Sequence, residues 1–253
     1  MTILVGVLAK DGAVIGSDSA TTFCGPDGVR TIEQISRKIE IVNERVIVAG
    51  TGQVGLNQRF VAVVKKNSTQ SGFNRNLSAL EVGKLLSSEG IKDFASTSAP
   101  MGQFGALVAF PIGEKPSLCE FALRDFQPEL KTDKIWYVSA GSGQGMADPF
   151  LGFIRKVFWK SGPPSCSEAV FAVLWTLLHA IELNTGGING PPDIAVLQYD
   201  KRNELKAHLL ETEEMEEHKA NVKGAEEHLS AYAEKMRQSQ QAEDIPRPAA
   251  NAG

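Results

Sequence analysis

Thr2, Asp18, Lys38 and Gly52, all in the first quarter of this 253-residue chain, have types that could act together on a carbonyl group. Thr2 stands directly behind Met1, so removal of the methionine would leave one residue carrying both a hydroxyl and a free α-amine. With an ordinary pKa of roughly 7.7–8.0, that amine can take the hydroxyl proton near neutral pH, the threonine version of a nucleophile–base pair. A retained Met1 would acylate the nitrogen and leave the subunit inert. Such a nucleophile needs a cation that eases formation of the alkoxide, a carboxylate that holds the cation, and a backbone amide facing the oxyanion. Lys38, Asp18 and Gly52 are the candidates, in that order. Each alone has a plainer explanation, as an exposed strand lysine, a strand-end acid and a loop glycine at a helix start. Their company with Thr2 favours the chemical reading.

Other chemistries have less to stand on. Cys24, Cys119 and Cys166 are odd in number and far apart, with no C-x-x-C spacing, which supports neither a disulfide framework nor a zinc site. His208, His218 and His228 fall in a charged C-terminal part and His179 inside an apolar helical pattern, and no Gly-x-Ser-x-Gly elbow accompanies them. No metal and no cofactor is expected. The formal charge of −4 and scattered Lys and Arg residues provide no basic field for nucleic acid. No apolar run approaches the ~20 residues of a membrane span and no secretory leader pattern opens the chain, so the expectation is a cytoplasmic protein without a membrane partner.

The elements that must hold these residues follow from periodicity and turn chemistry. Residues 3–9 and 13–19 read as an antiparallel hairpin around Lys10-Asp11-Gly12, and 35–42 with 45–50 as a second around Asn43-Glu44. Lys38 falls within the third of these four strands. Val54, Phe60, Val61 and Val64 then recur at helical spacing, and Ser78-Ala-Leu-Glu81 is a capping box that opens a second helix. Strands are expected over 104–112, 117–124 and 134–139, helices from Gly143 to about Trp159 and from Ser167 to Asn184, and a last strand pair over 193–200 and 204–209. That order fits two stacked antiparallel sheets between helical layers. From Glu211 the composition turns to charged residues, predicting a solvated helix with a frayed tail, along which Leu229, Tyr232 and Met236 form a stripe.

Over residues 2–209 the chain resembles the proteasome β-subunit family of amino-terminal nucleophile hydrolases, closest to the group described from betaproteobacteria. The matching stretches are Thr2 to Ala20, Arg37-Lys38-Ile39 to Gly52, Ala140-Gly141-Ser142-Gly143, and Ile181-Glu182-Leu-Asn-Thr185-Gly186-Gly187. The resemblance implies an α+β, four-layer αββα sandwich (1–209) followed by a charged helical extension (210–253). It makes Thr2 the nucleophile, Lys38 its cation, Asp18 the partner of Lys38 and Gly52 the oxyanion donor. Ser142 would help position the amine, and Glu182 and Thr185 stand where the family usually has aspartate and serine. Thr22 would offer backbone to an extended peptide, and Gly50 and Val54 lie near the first specificity pocket, where a glycine suggests room for a large apolar side chain. No propeptide is visible, so methionine removal would suffice for activation.

The implied activity is a threonine endopeptidase acting on unfolded polypeptides. It would be confined in a homo-oligomeric double ring of heptamers and could be served by an ATP-dependent unfoldase. An acylase of small amides on the same fold and a non-catalytic ring scaffold subunit are the alternatives.

Overall fold

Several strands of this protein are apolar on successive residues because both of their faces are covered. The computed structural model describes residues 2–24, 27, 29–70, 72–183 and 187–243. It begins with β1 (Leu4–Ala9) and β2 (Gly12–Ser17), then β3 (Ala20–Cys24), β4 (Arg30–Ile35), β5 (Ile39–Val42) and β6 (Val46–Gly52). Helices α1 (Val54–Asn67) and α2 (Ala79–Ala95) precede β7 (Phe104–Ile112), β8 (Lys115–Phe121), β9 (Pro128–Leu130) and β10 (Tyr137–Ala140). The chain continues through α3 (Gln144–Phe158), α4 (Cys166–Leu183), β11 (Asp193–Tyr199), β12 (Leu205–Leu209) and α5 (Thr212–Glu243).

One antiparallel sheet runs β10-β1-β2-β11-β12 and a second β5-β6-β7-β8-β9, with β3-β4 as a separate two-stranded ribbon. Because side chains alternate along a strand, each strand feeds two cores. Val5, Val7 and Val14 pack with Leu151, Val173 and Leu177 of α3 and α4, whereas Leu4, Ala13 and Ile15 pack with Ile47, Leu107 and Leu118 of the other sheet. On the far side Val46, Val48 and Val108 meet α1 and α2 around Phe60, whose ring contacts Phe104, Phe121 and Phe126 edge-on at centroid distances of 5.7, 5.3 and 5.0 Å. Among the described residues α4 alone is long and apolar enough to cross a membrane. Here it is a core helix, with Val173, Leu174 and Leu177 fully buried.

The structure departs from the sequence-based expectation in three places. Among the described residues six strands precede α1, since β3 and β4 pair from Ala20↔Ile35 to Phe23↔Ile32. Phe23, Ile32 and Ile35 are exposed there, so this ribbon lacks the buried face that periodicity detects. Lys38 therefore lies in the short link between β4 and β5, outside any strand. The three-residue β9 was also unforeseen, and β8 ends at Phe121. Finally, the first part of α5 is anchored. Met215 and Val222 join the α3–α4 core, and Trp175 Nε1 donates to Glu226 Oε1 at 2.8 Å.

Candidate active site

The site forms where the start of β1, the link after β2 and the link before β5 converge between the sheets. Asp18 N donates to Ile3 O at 3.3 Å while Ile3 N donates back to Asp18 Oδ1 at 2.9 Å, which ties the residue after Thr2 to the acid. Asp18 is fully buried, and its Oδ2 accepts from Ala20 N at 3.2 Å. Lys38 Nζ donates to Asp18 Oδ1 at 2.7 Å and to Thr2 Oγ1 at 3.2 Å. Backbone and ammonium donors together hold this carboxylate in place, and the ammonium in turn faces the threonine hydroxyl.

Burial pushes the Lys38 ammonium below the ordinary 10.5, while the Asp18 carboxylate pulls the other way. The side chains of Lys38 and Asp18 are 7% and 0% exposed, so little solvent screens the pair. A cation held this way can offset negative charge that develops on Thr2 Oγ1.

The third contact comes from the turn between β10 and α3. Thr2 N donates to Ser142 Oγ at 3.1 Å, and Gly143 N donates to Thr2 O at 3.1 Å. Gly141 permits this approach. Its φ is +93°, and a Cβ there would stand 2.4 Å from Thr2 O.

Thr2 and Lys38 open onto a cavity of about 470 Å³, lined also by Thr22, Gly50, Gly52, Val54 and Ser142. Gly52 has φ +105° and its Cβ position is closed by Gln103 O at 2.1 Å, so only glycine fits the end of β6. Gly50 overturns one expectation. The space its missing side chain leaves is taken by the Asn57 carboxamide, with Oδ1 2.1 Å and the Phe104 ring 2.7 Å from where a Cβ would be. The floor is thus polar and partly filled. Glu182 is exposed in the last turn of α4 and does not line the cavity, and Thr185 lies outside the described residues.

Asn57 is among the lining residues that sequence reasoning passed over. Its signal was its position: it interrupts with an amide the stripe that continues through Phe60 and Val64, both fully buried. Among the described residues no cluster of three or more His, Cys, Asp or Glu could hold a metal ion.

Two five-stranded sheets facing one another, with helices packed on them, make a mixed α+β fold. Solved structures share it over nearly the whole chain. Anbu (ancestral beta-subunit) from Yersinia bercovieri matches with a TM-score of 0.68 and 16% identity, covering 97% of this chain and 98% of that one. A Gly-1 mutant of Anbu from Hyphomicrobium sp. strain MC1 gives 0.65 and 14%, over 99% and 100%. The helical assembly of the Anbu complex from Pseudomonas aeruginosa gives 0.64 and 17%, also over 99% and 100%. No family model and no curated protein matches the chain. At these identities the likeness is one of fold. It corrects the expected placement among proteasome β-subunits of the betaproteobacterial group, since these neighbours are Anbu proteins, proteasome-like but distinct.

Proposed function

We propose that the chain is a self-compartmentalising threonine endopeptidase that cleaves unfolded polypeptides with the Thr2 hydroxyl once Met1 has been removed. The observation that carries this reading is Lys38 Nζ, which bridges Thr2 Oγ1 and Asp18 Oδ1 at 3.2 and 2.7 Å on the wall of a peptide-sized cavity.

In the mature chain the Thr2 nitrogen is an amine, oriented by Ser142 Oγ. It takes the Oγ1 proton as Oγ1 bonds to the peptide carbonyl carbon. The Lys38 ammonium, fixed by Asp18, offsets the charge on the attacking oxygen, and the Gly52 N–H donates to the carbonyl oxygen as it becomes an oxyanion. The protonated amine then gives its proton to the leaving nitrogen. The C–N bond breaks and an ester remains on Thr2. Water, deprotonated by the same amine, attacks that ester and releases the new carboxylate. Thr22 and Gly50 supply backbone for an extended substrate, a form of strand addition, and Val54 borders its side-chain pocket. By the resemblance alone Thr185 stands where the family usually has a serine, and it lies outside the described residues. Glu182, exposed and off the cavity, is given no step.

A nucleophile that reads main chain would threaten every nearby protein, so the proposal includes confinement in a cytoplasmic homo-oligomer fed by an unfoldase. Residues 1–209 would form the catalytic unit and 210–253 an extension. Particle images decide between a closed double heptameric ring and a helical assembly like the one named for the Pseudomonas aeruginosa neighbour.

Intact-mass measurement with an epoxyketone or β-lactone probe tests the chemistry. One probe adduct on demethionylated wild type, and none on Thr2→Ala or Lys38→Ala, is the expected result. An adduct that survives Thr2→Ala, or peptide cleavage by a chain that still carries Met1, overturns the reading.

A further inference from the structure

We propose that Asn57 makes the cavity selective for a carboxamide side chain, glutamine or asparagine, on the acyl side of the cleaved bond. The inference rests on the threonine-hydrolase reading and adds the substrate class to it.

Asn57 sits in the first turn of α1, on the side that the helix turns toward β6. Phe60 and Val64, three and seven residues on, are fully buried. An apolar residue would be the ordinary choice at such a position. Instead the carboxamide fills the space above Gly50 and lines the cavity that holds Thr2. Its Oδ1 is buried without a hydrogen-bond partner, and so is Thr22 Oγ1 on the same cavity.

A buried acceptor left unmatched costs about 1–3 kcal/mol. A substrate donor that draws Oδ1 round from Gly50 into the cavity recovers that cost, and a ligand that fills the pocket with hydrocarbon leaves it in place. The second case is how a polar site rejects an aliphatic analogue. A substrate carboxamide carries a donor and an acceptor in one plane, and so does Asn57. A half-turn about χ2 exchanges the oxygen and nitrogen of Asn57, so one edge can present whichever group the substrate lacks.

The charges around the cavity argue for a neutral partner. Glu120 lies on the wall, but its Oε2 already accepts from Lys131 Nζ at 2.7 Å. Arg37, also on the wall, lies 3.9 Å from Asp193. A lysine or arginine side chain would therefore meet a carboxylate that is already matched, and an acidic one would meet a guanidinium that already has a counter-ion.

The test measures labelling rates at Thr2 by intact mass, using peptide epoxyketones identical except for Gln, Leu, Lys or Glu next to the warhead. Wild type is expected to react with the Gln probe about tenfold faster than with the Leu probe, the ratio that one unmatched buried hydrogen bond carries. Asn57→Leu should reverse that order. Asn57→Asp, which keeps the shape over Gly50 and so guards against a folding failure of the first variant, should move the preference to Lys. A wild type that prefers Leu, or a Gln/Leu ratio that Asn57→Leu and Asn57→Asp leave unchanged, overturns the selectivity alone. No labelling of Thr2 by any probe overturns the threonine reading and this inference with it.

Discussion

A lysine ammonium held between an acid and a hydroxyl, with only 7% of its side chain exposed, is the most informative single group in the molecule. Because burial lowers the Lys38 pKa below the ordinary 10.5, the unfolded chain binds the extra proton between the folded and unfolded values, and this group's contribution to stability rises with pH through that window. Activity should move the opposite way, falling as the ammonium is lost. The alkaline limb of kcat/KM is expected below 10.5 while urea midpoints show no matching loss from Lys38; a limb at or above 10.5 would refute this. Asp18→Asn leaves the buried ammonium without its counter-charge, so about 3 kcal/mol of stability should go, together with activity, as read by urea denaturation and peptide turnover. The cysteines behave differently. Burial pushes the Cys119 thiol up to about 12, and burial followed by the nearby Asp11 carboxylate raises Cys166 further. Neither should react with iodoacetamide at pH 8 until denaturant is added, which peptide mass mapping would show.

Local chemistry decides how the elements begin and end. The Ser78 hydroxyl accepts from Glu81 N at 3.3 Å and Glu81 Oε2 accepts from Ser78 N at 2.7 Å, so both arms of the capping box at α2 are present. Ser78→Ala should cost about 1 kcal/mol without changing activity, measured as a shift in the urea midpoint. Between β5 and β6 the chain turns through Asn43, Glu44 and Arg45, with Asn43 and Glu44 at positive φ, 52° and 56°, and Arg45 N donating to Val42 O at 3.1 Å. These features were legible because each depends on neighbours within about four positions. The β3–β4 ribbon was not. Its residues have strand character, but with Phe23, Ile32 and Ile35 facing outward they carry no alternation between core and solvent.

At the level of the whole molecule, α5 divides into a docked part and an outward part. Met215 and Val222 are buried against α4, whereas Leu229, Tyr232 and Met236 remain exposed. Ending the chain after residue 228 should leave the melting temperature near that of the full protein. Ending it after residue 211 uncovers the α4 core and should lower melting by several degrees, at roughly 2–4 °C for each kcal/mol lost in a chain of this size. Equal melting of the two truncations would show that the α4–α5 contact contributes nothing.

Residue order was enough to bring out most of the strands and helices, the turns between them and the residue types suited to the proposed reaction, because those depend on short spacings and on which side of an element is apolar. Distance was beyond its reach. Thr2 and Ser142, 140 positions apart, touch only because β1 pairs with β10 and the chain turns back at Gly141. The Lys38 contact likewise follows from Asp18 being locked to Ile3. Packing also decided two matters against expectation: Glu182 stands outside the cavity, and the room beneath Gly50 belongs to the Asn57 amide. Periodicity reports which way a side chain faces, whereas what it meets there is set by the close packing of two sheets whose strands are far apart in the chain.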